Sequence, residues 1–293
     1  MASNWLVRAA YVGSEAFHLV NAIERNPGIY SLQGARSLTN FQSVLEMQSA
    51  TTSSYQSGQF TIEKRFSRGL QFQSNYTYSK SLDAASIGTL AFTGSVADPF
   101  NLRNNRGWAA FHIPHVWISN FVWELPKLQG MNAIARNVIG GWQVSGIWRM
   151  QSGNPFGIRP GSGGNRSLSQ INGDRADYVP GQAITSRQGD KNSWLNNYFN
   201  TAAFQVNAPG TFGNTPRALF FAPPIATGDA GISKNWAFAE RYRLQFRWEM
   251  FNVFNTPSFA APNNSVTSNQ FGKILSTGGV PPRVMQGALK FYW

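Results

Sequence analysis

Three histidines, His18, His112 and His115, are the residues best suited to metal or acid–base chemistry in this chain. His112 and His115 stand three apart, a spacing that on a helix would offer two imidazoles to one metal ion. Pro114 lies between them and argues against a helix. In an extended segment, odd spacing sends the two rings to opposite sides, with His115 sharing parity with Trp117 and Phe121. A loop or girdle role follows for both. An embedded lipase or protease would need a base beside its nucleophile on the watery side. We therefore expect no enzyme activity, no metal and no cofactor.

Oxygen ligands are the next candidates. Asp174 and Asp177, in Asn172-Gly-Asp-Arg-Ala-Asp177, could hold calcium. Their spacing is not that of an EF-hand, and Asp and Gly are ordinary turn residues. A turn, or a salt bridge from Asp174 to Arg175, is the simpler reading. Pro160-Gly-Ser-Gly-Gly-Asn165 is glycine-rich but lacks the Lys-Ser/Thr of a phosphate loop. Arg241, Arg243 and Arg247 recur at even spacing with Glu249. They read either as an anion-binding patch or as a polar wall balanced by Glu249 and Glu240.

Composition limits the surroundings of these groups. The chain has 293 residues and no cysteine, so disulfides and thiolate metal sites are excluded. Its formal charge of +12 would attract nucleic acid, anionic lipid or lipopolysaccharide without choosing among them. Only 13% of residues are charged while 14% are aromatic, which argues against disorder and against an ordinary soluble surface. No apolar run reaches 18 residues, so membrane-spanning helices are excluded. The N-terminus lacks a secretory signal, and we expect the chain to be the C-terminal part of a longer precursor.

What remains is a period of two. Leu70, Phe72, Tyr76 and Tyr78 alternate with Gln71, Gln73, Asn75, Thr77 and Ser79. That is strand alternation over about ten residues, the length of a tilted membrane-spanning strand. The pattern recurs around Phe60, Trp117, Trp148 and Phe246. It predicts spans near 5–12, 54–66, 69–81, 114–125, 141–153, 228–239, 241–256 and 283–293. Short turns fall near 67–69 and 239–241, a moderate one at 126–140, and long loops over 13–53, 82–113, 154–227 and 257–281. The strand-like piece 41–50 either belongs to a loop or extends the next strand. Short turns on one side and long loops on the other is the asymmetry of outer-membrane barrels. Eight spans also return the C-terminus to the periplasm. Lys64, on the apolar face between Ile62 and Phe66, must then lie at a membrane boundary, where its stem can snorkel. In Arg283-Val-Met-Gln-Gly-Ala-Leu-Lys-Phe-Tyr-Trp293, Met285, Gly287, Leu289, Phe291 and Trp293 form one face of a closing strand.

An ordered set of segments resembles the Oar-like TonB-dependent receptors of Gram-negative outer membranes. They are Glu63-Lys-Arg-Phe66, Tyr76-Thr-Tyr-Ser-Lys-Ser-Leu-Asp83, Gly173-Asp-Arg175, Phe199-Asn-Thr-Ala-Ala-Phe204, Gly210-Thr-Phe-Gly-Asn214, Arg247-Trp-Glu-Met-Phe-Asn-Val-Phe-Asn-Thr-Pro-Ser-Phe259 and Ala288-Leu-Lys-Phe291. The resemblance implies an all-β fold, with residues 1–293 as about eight spans at the C-terminal end of an antiparallel transmembrane barrel, 22-stranded when whole. The family's plug and regulatory-like domain have no counterpart in this sequence. The resemblance also implies ligand binding and TonB-driven uptake by the intact protein. The partners would be the TonB complex, the barrel-assembly machinery, outer-membrane lipid and lipopolysaccharide, and an extracellular ligand. Gln286, Phe291 and Trp293 match the family's assembly signal, although Ala288 stands where Gly is usual. Arg241, Arg243, Arg247 and Glu249 become possible lumen contacts to ligand or plug. A surface adhesion barrel without import is the alternative function. A soluble nucleic-acid binder is a third reading, and we expect no nucleic-acid partner.

Overall fold

The computed structural model describes residues 4–84, 86, 96–126, 130, 132, 137–162, 165–171, 173–185, 190–238 and 241–293. Its strands are β1 (Trp5–Glu24), β2 (Leu45–Ser67), β3 (Leu70–Asp83), β4 (Gly107–Trp108), β5 (His115–Glu124), β6 (Trp142–Gln151), β7 (Pro155–Phe156), β8 (Asp177–Tyr178), β9 (Phe204–Gln205), β10 (Phe220–Phe221), β11 (Ile225–Phe238), β12 (Tyr242–Phe251) and β13 (Val284–Tyr292). A short helix, α1 (Lys191–Asn196), is capped by the Asp190 carboxylate, which accepts from the Ser193 N–H. Eight long strands form one antiparallel sheet in the order β1-β2-β3-β5-β6-β11-β12-β13, with β4 beside β3.

The register explains the alternation. Leu70, Trp123, Val144, Ile232, Trp248 and Gly287 lie opposite one another across six strands, as do Phe72, Phe121, Gly146, Ala230, Met250 and Met285. Alternate residues point to the other side, where the row Gln71, Val122, Ser145, Gly231, Glu249 and Gln286 is mostly polar. One face of the sheet is therefore aromatic and aliphatic and the other is hydrophilic, as a barrel wall between lipid and water requires. A Cβ on Gly146 would come within 2.7 Å of the Phe121 ring, which stacks on Trp148. Glycine there lets the two rings lie flat across the apolar face.

Short turns hold one end together. Ser67 and Leu70 pair across Arg68 and Gly69, whose φ angles are 51° and 77°. Two successive positive φ values make a type I′ hairpin, whose twist suits the flanking strands. Lys64 reaches this turn and donates to the Ser67 carbonyl, the Ser67 hydroxyl and the Leu70 carbonyl at 2.7–2.9 Å. Its charge thus sits at the sheet's edge while its stem covers the apolar face.

At the opposite end the long connections fold. Ile158, Ala176, Phe199, Ala203 and Phe204 form a buried core, covered by Phe156, Tyr178, Ile184, Tyr198, Leu219, Phe220, Val266 and Phe271. Phe199 and Phe220 stack at 5.0 Å, and Phe271 meets Phe199 edge-on. This cap, rather than the sheet, holds the protein's dry interior.

The structure revises several boundaries. The loop expected over 13–53 is confined to 25–44, because β1 continues to Glu24 and β2 begins at Leu45. The piece 41–50 therefore largely extends β2. Register shifts between Ala16, Leu19 and Val20, with His18 at φ 57°, interrupt the regular ladder of β1 between its two halves. The span expected over 241–256 stops at Phe251, since Asn252 adopts φ 50°.

Candidate functional site

The arginine group on β12 divides in three. Arg247 forms an ion pair with Glu249, and Glu249 also accepts from Gln286 Nε2 at 2.6 Å on β13. Arg243 lies over the Tyr292 ring, 4.4 Å from its centroid, a cation–π contact. Arg241 belongs to the turn before β12, and Glu240 lies outside the described residues. Arg243, Arg247, Glu249 and Gln286 thus make a continuous polar strip on the hydrophilic face, not one convergent pocket.

The three residues of the expected assembly signal do not converge either. Gln286 faces the hydrophilic side, whereas Phe291 stacks on Tyr242 at 5.8 Å and on Trp293 at 6.2 Å. Trp293 is 86% exposed.

The expectation that His112 and His115 point to opposite sides needs correction. The chain bends at Pro114 before β5 begins, so parity does not carry across. Both rings border one recess on the apolar side. His112 is buried, stacks on Trp108 at 4.5 Å and accepts the Ser81 N–H at Nδ1. Burial, reinforced by the Lys80 charge, holds its pKa below the ordinary histidine value. His115 instead meets the Tyr76 hydroxyl at 2.7 Å on the exposed strand face.

The aspartates lock loops. Asp174 accepts from the Ser167 N–H and hydroxyl and from Asn207 Nδ2. Asp177 accepts the N–H groups of Ala208 and Asn214. The expected Asp174–Arg175 bridge does not occur among the described residues, because Arg175 turns to the carbonyls of Thr215 and Asn104. Asn172, Gly163 and Gly164 lie outside the described residues.

Sequence reasoning passed over the site that the cap builds around Arg175. A cavity of about 420 Å³ opens beneath the cap and includes Arg159, Arg175, Arg217, Asn105 and Ser86 in its wall. Arg217 pairs with Asp83 at 2.7 Å and also donates to Ser86 Oγ. The Arg175 Nε is buried without a hydrogen-bond partner. Burial lowers the Arg175 pKa, Asp98 offsets part of that, and the Arg217 charge lowers it further. Arg159 is exposed. Three guanidiniums around one cavity, two of them held by hydrogen bonds, suit a ligand carrying carboxylate, phosphate or several oxygens. Arg217 carried no signal in the sequence, since its partners lie 112 to 134 positions away.

Three of the segments that carried the resemblance meet in this cap. Arg175 N–H donates to the Phe212 carbonyl, joining Gly173-Asp-Arg175 to Gly210-Thr-Phe-Gly-Asn214. Phe199 and Phe204 supply the core beside them. Asn252 closes the next loop, donating to the carbonyls of Thr256 and Pro281 and accepting the Thr256 N–H. Asn255 Oδ1 accepts from the Arg283 N–H and so brings the chain back to β13.

No curated protein matches the chain. Among solved structures, the outer membrane transporter YddB from Escherichia coli is similar, with 13% identity and a TM-score of 0.48 over 99% of this chain and 31% of that one. The chain thus spans less than a third of that transporter's length. A family model described as an outer membrane beta barrel domain matches residues 1–286. With its two-faced antiparallel sheet and its asymmetric connections, the protein resides in the outer membrane and belongs to the outer membrane beta barrel domain family.

Proposed function

We propose that this chain forms the C-terminal wall and loop cap of an Oar-like TonB-dependent receptor, 22-stranded when whole, that binds a ligand outside the cell and imports it. One observation carries the reading: among the described residues β1 pairs only with β2 and β13 only with β12. Hydrocarbon does not tolerate unpaired backbone along a strand, so a wall with two free edges calls for further strands. The cap supports the binding half of the proposal, since its core holds a cationic cavity at the end of the long loops. The protein acts by binding, without catalysis, cofactor or nucleic acid. Its partners are the TonB complex, the barrel-assembly machinery acting on the β13 strand, and an oxygen-rich extracellular ligand.

A second reading, adhesion without import, draws on the hairpin of β1 and β2. Ser53 pairs with Asp83 at the end of β3, and the segments Ala16–Glu24 and Leu45–Thr52 continue past that level. Passing the detergent-extracted intact gene product over the immobilised periplasmic domain of TonB separates the two. Specific retention is expected for a receptor. Free passage, from a product without a plug, would replace import by adhesion.

A further inference from the structure

The recess beside His112 and His115 lies on the lipid-facing side of the sheet. It measures about 510 Å³, and its wall includes Tyr78, Lys80, Trp108, His112, His115 and Phe221. Trp108 pairs with Leu82 and therefore shares the face of Lys80, Tyr78 and Leu70. The rings of Trp108, His112 and Phe221 pack 4.5–6.0 Å apart and make an aromatic floor.

Its height can be placed from the strand geometry. A strand rises about 3.3 Å per residue, and the apolar band of such a barrel is about 25 Å tall, crossed at a tilt of about 35–45°. Roughly ten residues span that band. Counted from Leu70 beside the periplasmic turn, the outer boundary falls at Ser79 and Lys80, next to the girdle formed by Tyr76, Tyr78 and His115. Lys80 is exposed there, with Nζ 5.6 Å from the Trp108 ring centroid. A cation above an aromatic slot, at the level of the outer-leaflet headgroups, is complementary to an anionic amphiphile.

We propose that this recess holds a phosphorylated, acylated lipid of the outer leaflet, with its phosphate on Lys80 and an apolar portion against Trp108 and Phe221. The site is independent of the uptake reading and rests only on the protein's place in the outer membrane. It would anchor the loops 107–114 and 221–224 against lipid and fix the cap's position on the sheet.

Native mass spectrometry of the intact protein, extracted in mild detergent, tests the site. The wild type is expected to retain one phosphorylated acyl lipid. Lys80→Glu and Phe221→Trp, the latter filling the recess, are expected to reduce retention at least fivefold, and Lys80→Arg to keep it. Ala222→Leu narrows the same recess without replacing a ring, and heat-dependent gel mobility reports folding of each variant. Rebinding of diphosphorylated lipid A should fall in Lys80→Glu, while rebinding of its phosphate-free analogue should not. A wild type without bound lipid, a folded Lys80→Glu, Phe221→Trp or Ala222→Leu variant that retains as much as the wild type, or equal loss of both probes would overturn the proposal.

Discussion

His112 shows how far one side chain can be read in advance. Its place in a loop was legible, but its stacking on Trp108 was not, because the two meet only after the 107–115 segment turns back on β3. Its folded pKa is depressed, so the neutral ring is the form that packs. Packing stability is then complete above the unfolded value of about 6.5 and declines as the pH falls from there toward the folded pKa. In the intact protein the His112 ring resonances, identified by their loss in His112→Gln, can be followed by NMR. His112 is expected to titrate below 6.5, and a midpoint at or above that value would contradict its burial. Lys64 and Lys234 make the complementary point. The boundary position of Lys64 followed from its distance to the turn. Lys234 also falls on the apolar face, buried between Trp142 and Trp236 and donating to the carbonyls of Val138 and Gly140. Nothing in the local pattern announces those carbonyls, which lie 94 and 96 positions away. The Arg247–Glu249 pair should matter little: a double-mutant cycle with Ala is expected to show little coupling, and strong coupling would contradict this.

The strands were legible because one face meets lipid and the other water, which imposes a strict period of two. The cap was not, since a core made of Phe199, Phe204, Phe220 and Phe271 from separate loops has no period. The register irregularity near His18 marks the other failure, where it interrupts β1 midway. These elements should come apart independently. Phe199→Ala removes the largest fully buried side chain and is expected to cost the cap about 3–5 kcal/mol. Limited proteolysis should then cut within 154–224, while circular dichroism shows unchanged strand content. Loss of strand signal along with the cap would refute this division. Asn252→Ala removes a buried side chain with three hydrogen bonds and is expected to cost about 1–3 kcal/mol. Faster cleavage confined to 253–283 would report it, and cleavage at the wild-type rate would mean that those bonds do not hold the loop.

At the scale of the whole molecule, the sheet is a wall with two open edges, and a wall of eight strands encloses nothing while its ends stay apart. Residues 1–293 alone are expected to aggregate or form a non-native barrel when refolded in detergent, because exposed strand edges recruit other chains. Residues 1–293 contain no cysteine, so neither edge strand carries a native thiol. The decisive measurement is disulfide cross-linking of the intact gene product in outer membranes, with single cysteines at Val7, Ala9 or Tyr11 on β1 paired in turn with single cysteines at Gly287, Leu289 or Phe291 on β13. Val7→Cys with Ile62→Cys, which face each other across β1 and β2, serves as the positive control. Efficient cross-linking of the control and none between β1 and β13 is expected if further strands complete the barrel. A strong β1–β13 cross-link within one chain would mean that the eight strands close on themselves, and would contradict the larger receptor.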